Sequence, residues 1–280
     1  MAATAWTSVW NLVTVTYNSE VALRRHWGDV ILPPNVRWTV VDNASSDSSA
    51  EVASELGATV IRLNENVGFG AANNVGASSF HSDYIAFVNP DVTVDPRSLL
   101  TLESVLVERP TAIVGPQLVD HKKVPQASGR SFPTVGSKLL NRLRPNSSSS
   151  YRIFADHGEL KQVSWLMGAA VAMRLSVFEA LRWDERYFVY YEDADIGLRA
   201  WAAGNEVLLS GDVRWELGWA RETSQLNVQA WKYEMRSAAK FYGQHPHLVL
   251  PVALAKFFHP ERRQIGQTIS ADQPQARASK

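Results

Sequence analysis

The chain has 280 residues, with 28 Lys and Arg against 28 Asp and Glu, and no cysteine. Balanced charge gives no electrostatic ground for a nucleic-acid partner. The lack of cysteine excludes disulfide scaffolds, zinc-thiolate sites and thiol nucleophiles, which leaves any metal to oxygen or imidazole ligands.

The length suits one large α/β domain. The first apolar stretch, around Trp10 to Val15, is short and interrupted by Asn11 and Thr14. It predicts a first strand, Val9 to Thr16, and no signal peptide; a cytoplasmic location is expected. Trp38 to Val41, Thr59 to Leu63 and Tyr84 to Val88 are further strand-like runs, with helical patterns at Ser48 to Leu56 and Ala71 to Phe80. Strands alternating with helices predict a mainly parallel, Rossmann-like sheet with helices on both faces. Ligands of such sheets sit at the carboxyl ends of the strands. Those ends carry Thr16-Tyr17-Asn18, Asp42-Asn43, Asn64 to Gly70 and Asn89-Pro90-Asp91.

Pro90 ends the strand ladder and fixes a turn that presents Asp91 beyond the sheet. A carboxylate there suits Mg2+ or Mn2+, which needs few protein oxygens beside phosphate and water; a plain turn Asp is the alternative. Ser45 to Ser48 read as a helix N-cap cluster, but Asp42 does not, and it is placed to meet a nucleobase N–H. Asn66 to Asn73 contains Gly68-x-Gly70-x-x-Asn73, a near miss of the dinucleotide fingerprint that leaves room for backbone to approach phosphate or ribose.

From His121 to Arg152 there are seven Lys or Arg and no acid, with several Pro and Gly. This predicts a loop region, either a solvated connector or a flap that meets an anionic acceptor. Order resumes at Val163 to Met173 and continues through Val177 to Arg182 and the aromatic run Tyr187 to Tyr191. A helix then runs from Glu192 to about Ala203, stopped by Gly204. Its start, Glu192-Asp193-Ala194-Asp195, holds more acid than a cap requires. Asp195 is spaced to pair with Arg199, and Asp193, aligned with Ile196 and Ala200, is the better general base. Of the ten Trp, most are expected in the core; Trp165, beside Gly168 and Ala169, is expected near an acceptor sugar. Leu248 to Phe258 is too short to span a bilayer. Packing as a terminal helix or lying on a membrane surface are its two readings.

The ordered set Val13 to Ser19, Val40 to Ser45, Asn66 to Phe69 with Asn73-Asn74, Asn89-Pro90-Asp91, Ser128-Gly129-Arg130, Trp165 to Ala169 and Tyr190 to Asp193 with Asp195 resembles family 2 inverting glycosyltransferases, and within them the bacterial rhamnosyltransferase-like group. The resemblance implies a GT-A fold over 1–220, with a nucleotide-binding half (about 1–115) and an acceptor-binding half (about 116–220). A C-terminal helical extension (221–260, with a helix Ser224 to Tyr242) and a tail (261–280) expected to lack order lie outside it.

It further implies that Thr16, Tyr17, Asn18, Asp42, Asn43, Asn66, Gly68, Asn73 and Asn89 surround the nucleotide and that Asp91 binds a divalent cation, Mg2+ or Mn2+. Asp193 is then the base, and Trp165, Gly168, Glu192 and Arg130 meet the acceptor. The expected donor is a dTDP- or UDP-linked sugar, with dTDP-rhamnose first. The expected acceptor is a glycan or polyprenyl-diphosphate-linked glycan, with peripheral contact at the inner face of the cell membrane. Relatives often carry a His in the segment that here reads Arg214-Trp215-Glu216-Leu217-Gly218, so a role for Glu216 in the metal site is open, and Arg221 is a further candidate for phosphate. Two other readings stand: a nicotinamide-dependent dehydrogenase, suggested by Gly68-x-Gly70, and a non-catalytic sugar-nucleotide-binding protein, suggested by Trp215-Glu216.

Overall fold

A computed structural model describes residues 8–143, 151–218, 228–257 and 265–269. In chain order the first half contains β1 (Trp10–Thr16), α1 (Glu20–Trp27), β2 (Val36–Asp42), α2 (Ser49–Glu55), β3 (Thr59–Arg62), α3 (Phe69–Ser78), β4 (Tyr84–Val88), β5 (Val92–Thr93), α4 (Leu99–Glu108) and β6 (Ile113–Val119). The second half contains β7 (Gly129–Arg130), α5 (Val135–Leu143), β8 (Arg152–Ile153), β9 (Leu160–Gln162), β10 (Trp165–Leu166), β11 (Ala170–Arg174), α6 (Leu175–Leu181), α7 (Glu192–Ala202) and β12 (Val207–Leu217). Two helices follow, α8 (Val228–Gln244) and α9 (Val252–Phe257).

The main sheet has the order β3-β2-β1-β4-β11-β6-β12-β5, with β9 also on β12. β1, β2, β3 and β4 are mutually parallel, as are β6 and β12. β11 runs antiparallel to both neighbours, β4 and β6. Buried on both faces, β1, β2 and β4 are largely apolar runs, and this is why they are legible in sequence, whereas β3 at the sheet edge is exposed or half-buried. One core cluster joins Trp10, Leu12, Trp27 and Trp38 to Trp215; the other joins Phe87, Phe178 and Trp183 to Ile196 and Trp201. Trp27 and Trp38 stack at 4.0 Å between ring centroids.

The region 121–152 departs from the predicted loop. It holds β7, α5 and β8, and β7 joins β8 and β10 in a separate three-stranded sheet. The run predicted as one ordered stretch, 163–173, is split into β10 and β11 by Met167-Gly168-Ala169. Arg221, Phe258 and the tail from 270 lie outside the described residues. No helix among the described residues is long and apolar enough to cross a membrane.

Candidate active site

The loops after β1 and β2 are stitched together by short polar side chains. Asn18, in the left-handed region at φ 53, accepts from Ser46 N–H at 2.8 Å through Oδ1, and its own N–H donates to Ser45 Oγ at 3.0 Å. An Asn tolerates that conformation better than most residues. Asp47 accepts from the backbone N–H of both Glu20 and Ser49, at 3.1 and 3.0 Å, so one carboxylate serves the starts of α1 and α2. The cap is thus Asp47, not a serine side chain. Asp42 is buried and accepts from Thr16 Oγ1 at 3.2 Å.

Asn43 and Asn66 form the next layer. Asn43 Nδ2 donates to Asn66 Oδ1 at 2.9 Å, and Asn43 Oδ1 accepts from Val67 N–H at 2.9 Å. Gly68 N–H donates to Asn66 Oδ1 at 3.0 Å. Gly68 has φ +89, and a Cβ there would lie 2.4 Å from the Phe188 carbonyl oxygen. The space left by its missing side chain is taken by protein, whereas the fingerprint likeness had suggested approach to a phosphate. Asn73 is buried inside α3, donating to Phe69 O at 3.1 Å. Its neighbour Asn74 clasps Trp183, donating to its carbonyl at 2.9 Å and accepting from its N–H at 3.1 Å.

A cleft of about 1180 Å3 opens at the carboxyl ends of these strands. Tyr17, Asn18, Asn89, Asp91 and Arg130, all predicted site residues, line it. Thr16, Asp42, Asn43, Asn66, Gly68, Asn73, Trp165, Gly168, Glu192 and Asp193 are not part of its lining. His26, Arg25 and Arg152 are, and sequence reasoning missed them. His26 Nδ1 lies 2.8 Å from Thr93 Oγ1, and burial holds its imidazole below its usual pKa. The Gly218 N–H donates to Asp91 O at 2.7 Å, fixing the turn that carries Asp91. Glu216 also borders the cleft, but its carboxylate pairs with Lys123 Nζ at 2.8 Å, which holds it below the usual carboxylate range.

Among the described residues no three His, Asp or Glu side chains converge on one cation position. Asp91 is a hard oxygen donor at the cleft, with Asp47 and Asp120 also in the lining. Such a donor would suit a Mg2+- or Mn2+-type ion whose shell is completed by diphosphate and water.

The acids that open α7 have three different environments. Asp195 is buried and bonded to Arg199 Nε at 2.6 Å, with His245 Nε2 at 3.3 Å. The predicted Asp195–Arg199 pair forms, yet it is a buried anchor instead of a surface pair, because Arg199 continues to the Arg182 carbonyl at 2.8 Å. Asp193 accepts from Gly168 N–H at 3.2 Å and from Ala194 N–H at 2.8 Å. Burial nevertheless pushes its carboxyl up, against the opposing pull of Lys138, those two N–H groups and Arg130. Glu192 is buried, its Oε2 has no hydrogen-bond partner among the described residues, and burial with the neighbouring Asp193 pushes it up to about 8.

Two consecutive left-handed residues, Tyr190 (φ 68) and Tyr191 (φ 72), deliver the chain into α7. Non-glycine residues in this region are strained and persist only where their surroundings hold them. Here Tyr191 packs on Phe241, Ser237 Oγ donates to Val189 O at 2.7 Å, and Lys138 Nζ sits 3.4 Å from the Tyr191 ring centroid. Trp165 is nearly buried, with Nε1 donating to Ser131 O at 3.1 Å and the cations of Arg130 and Lys138 at 5.9 and 5.6 Å from its ring. Burial pulls Lys138 down to about 8, opposed by Asp193, Glu234 and Glu192.

The turn bearing Asp91 and the start of α7 are linked through the backbone. Asn89 N–H donates to Ala169 O at 2.9 Å, and the adjacent Gly168 holds Asp193. The turn bearing Asp91 and the helix start bearing Asp193 therefore share one short segment, 168–169.

The site thus combines an α/β sheet, a polar cleft at its strand ends lined by the turn acid Asp91, and a helix-start acid, Asp193, outside that lining. The model of the family Glycosyl transferase family 2 matches residues 12–181, and the chain belongs to that family. It is 28% identical over 221 residues to N-acetylglucosaminyl-diphospho-decaprenol L-rhamnosyltransferase of Mycobacterium tuberculosis, covering 71% of this chain and 72% of that protein. It is 27% identical over 150 residues to Rhamnosyltransferase WbbL of Escherichia coli, covering 49% of this chain and 55% of that one. Among solved structures, S. aureus TarS 1-349 in complex with UDP-GlcNAc is similar at TM-score 0.55 and 16% identity, covering 89% of this chain and 73% of that one. GalNAc-T7 with UDP, GalNAc and Mn2+ is similar at TM-score 0.63 and 16% identity; the match covers 92% of this chain but 55% of that one. The fold is that of the GT-A glycosyltransferases, and the enzyme is a glycosyltransferase of the rhamnosyltransferase-like group.

Proposed function

We propose that the enzyme transfers L-rhamnose from dTDP-rhamnose, with inversion, to a hydroxyl of a lipid-linked glycan diphosphate at the membrane's inner face. The observation that carries this reading is the pairing of Asp193 with Gly168 one residue from the Asn89–Ala169 bond, which supports a single sugar bound between the two acids. Donor and acceptor identities rest on the M. tuberculosis relative, whose name specifies rhamnose and a diphospho-decaprenol acceptor.

In this mechanism Thr16, Tyr17, Asn18 and Asp42 receive the base and ribose, with Asn43, Asn66, Gly68 and Asn73 shaping the loops behind them and Asn89 bordering the donor. Asp91 would hold a divalent cation, which when bound neutralises charge on the diphosphate. Asp193 takes the proton of the acceptor hydroxyl as its oxygen bonds to the anomeric carbon. The bond from that carbon to the diphosphate oxygen breaks in the same displacement, and the nucleoside diphosphate leaves. Glu192, whose protonated form burial favours, donates to an acceptor oxygen, while Trp165, Gly168 and Arg130 border the acceptor.

The test is incubation with dTDP-rhamnose, UDP-GlcNAc and other UDP-hexoses against a short-chain lipid diphosphate sugar, with product configuration read by NMR. Rhamnosyl product of inverted configuration is expected. Transfer only from a UDP-hexose would replace the donor, and absence of transfer from any sugar nucleotide would return the chain to the non-catalytic reading.

A further inference from the structure

We propose that α5, the 246–249 turn and α9 form a docking face for an anionic lipid surface, which places the acceptor end of the cleft against the bilayer. This rests on the lipid-linked acceptor reading and adds to it the surface, the helices and the lipid class.

The first observation is that α5 is amphipathic in the inverted sense. Its cationic Lys138 points inward, over the rings of Tyr191 and Trp165, while Leu139 and Leu140 on the same helix are 55% and 48% exposed. A helix facing water puts its apolar stripe on the core and its charges outside. The medium that suits this outer face is apolar.

The same arrangement continues on the neighbouring elements. Phe241 of α8, Leu248 of the 246–249 turn and Ala255 of α9 are buried with Tyr191 and Leu198 of α7 in one aromatic-rich cluster, so these elements stand directly behind the acid-bearing helix. Their outer residues face solvent: Val249 is 58% exposed, Leu254 53% and Phe257 75%. Tyr242 OH donates to Pro133 O at 3.0 Å, tying α8 to the approach to α5. Along α8, exposed Trp231 and Met235 run beside exposed Lys232 and Arg236, each pair one helical turn apart.

Charge decides which occupant the face fits. Residues 228–257 carry four Lys and Arg against the single acid Glu234, in a chain whose totals are equal, and Lys232, Arg236 and Lys240 are exposed on α8. A symmetric pairing of two copies would set this positive helix face against itself. Anionic headgroups complement it, and the exposed Leu and Phe side chains can enter the headgroup and acyl boundary, the pattern of an interfacial helix.

The experiment is co-sedimentation of the full chain with vesicles of phosphatidylglycerol mixed with phosphatidylcholine, and of phosphatidylcholine alone, at low and high salt. The expected result is binding to the anionic vesicles only, weakened by salt. Leu139→Asp with Leu254→Asp should reduce that binding at least ~tenfold, as expected when apolar contact area is replaced by charge. A second variant, Lys232→Glu with Arg236→Glu, should reduce it while leaving the apolar face intact. Both variants should keep the wild-type melting temperature and transfer to a water-soluble short-chain acceptor, and slow with acceptor embedded in vesicles. Equal binding to neutral vesicles, no vesicle binding, or binding unchanged in both variants overturns the proposal. So does a dimer in sedimentation velocity that the Asp variant dissociates, since a second copy would then cover the face. Vesicle binding through these helices without transfer to any lipid diphosphate would sink the acceptor reading and leave this surface in place.

Discussion

The Gly168 N–H donates to Asp193 Oδ2 at 3.2 Å, and a Cβ on Gly168 would stand 3.3 Å from the Asp193 Cβ. The carboxylate is thus held from the side on which glycine leaves room, with its orientation set by backbone. Asp193→Asn keeps the shape and an acceptor for that N–H but cannot take a proton. Turnover should fall by roughly 10²–10⁴, the usual worth of general-base catalysis, with nucleotide affinity by calorimetry unchanged. Near-normal turnover would remove Asp193 from the role.

The pH profile should report on Lys138. A base at Asp193 would work only when ionised, so activity should rise with pH through the Asp193 pKa, which burial raises and the Lys138 charge lowers. Lys138→Met removes that charge, so the acidic limb of kcat should move to higher pH, and Lys138→Arg should restore it. Arg130 and Glu192 are unchanged in both variants. An unmoved limb in Lys138→Met would show that the two charges do not communicate.

Asp91→Ala should abolish the response of nucleotide binding to added Mn2+, measured by calorimetry with and without a chelator. Glu216→Gln should leave that response intact, because its carboxylate is committed to Lys123. The reverse pattern would exchange the two assignments.

Gly68→Ala meets both a left-handed backbone and the Phe188 carbonyl at 2.4 Å. Backbone cannot yield as a flexible side chain does, so the variant should lose roughly 1–3 kcal/mol of stability, the common cost of overpacking, read as a lower melting temperature. An unchanged melting curve would mean that the close approach to Phe188 is dispensable.

The strands that frame the cleft were legible because their burial on both faces writes them as Val- and Ile-rich runs, as in Val40-Val41 and Tyr84 to Val88. The acids at Asp91 and Glu192 to Asp195 were legible because each stands where an apolar element meets a turn or helix start. Lys138 was not, since its helix contains Gly136 and Asn141 and lies in a segment that composition marks as loop. Neither was the place of β11. Its apolar run is plain, but nothing local reveals that it inserts antiparallel between β4 and β6, a pairing decided over about eighty residues of chain. Asn43 and Asn66 show a further limit: their amides hold the loops after β2 and β3 to one another, which their types and positions do not announce.

The position of β11 also bears on redesign. β11, from later in the chain, lies inside the sheet between β4 and β6 of the first 120 residues, and Phe69 N–H donates to Phe188 O at 2.8 Å across the same seam. Recombining this enzyme with a relative by a single crossover near residue 115 would therefore cut through the core, not between modules. Chimeras that exchange 168–174 and 183–191 along with the donor-side loops they touch keep the interlocking parts in matched sets.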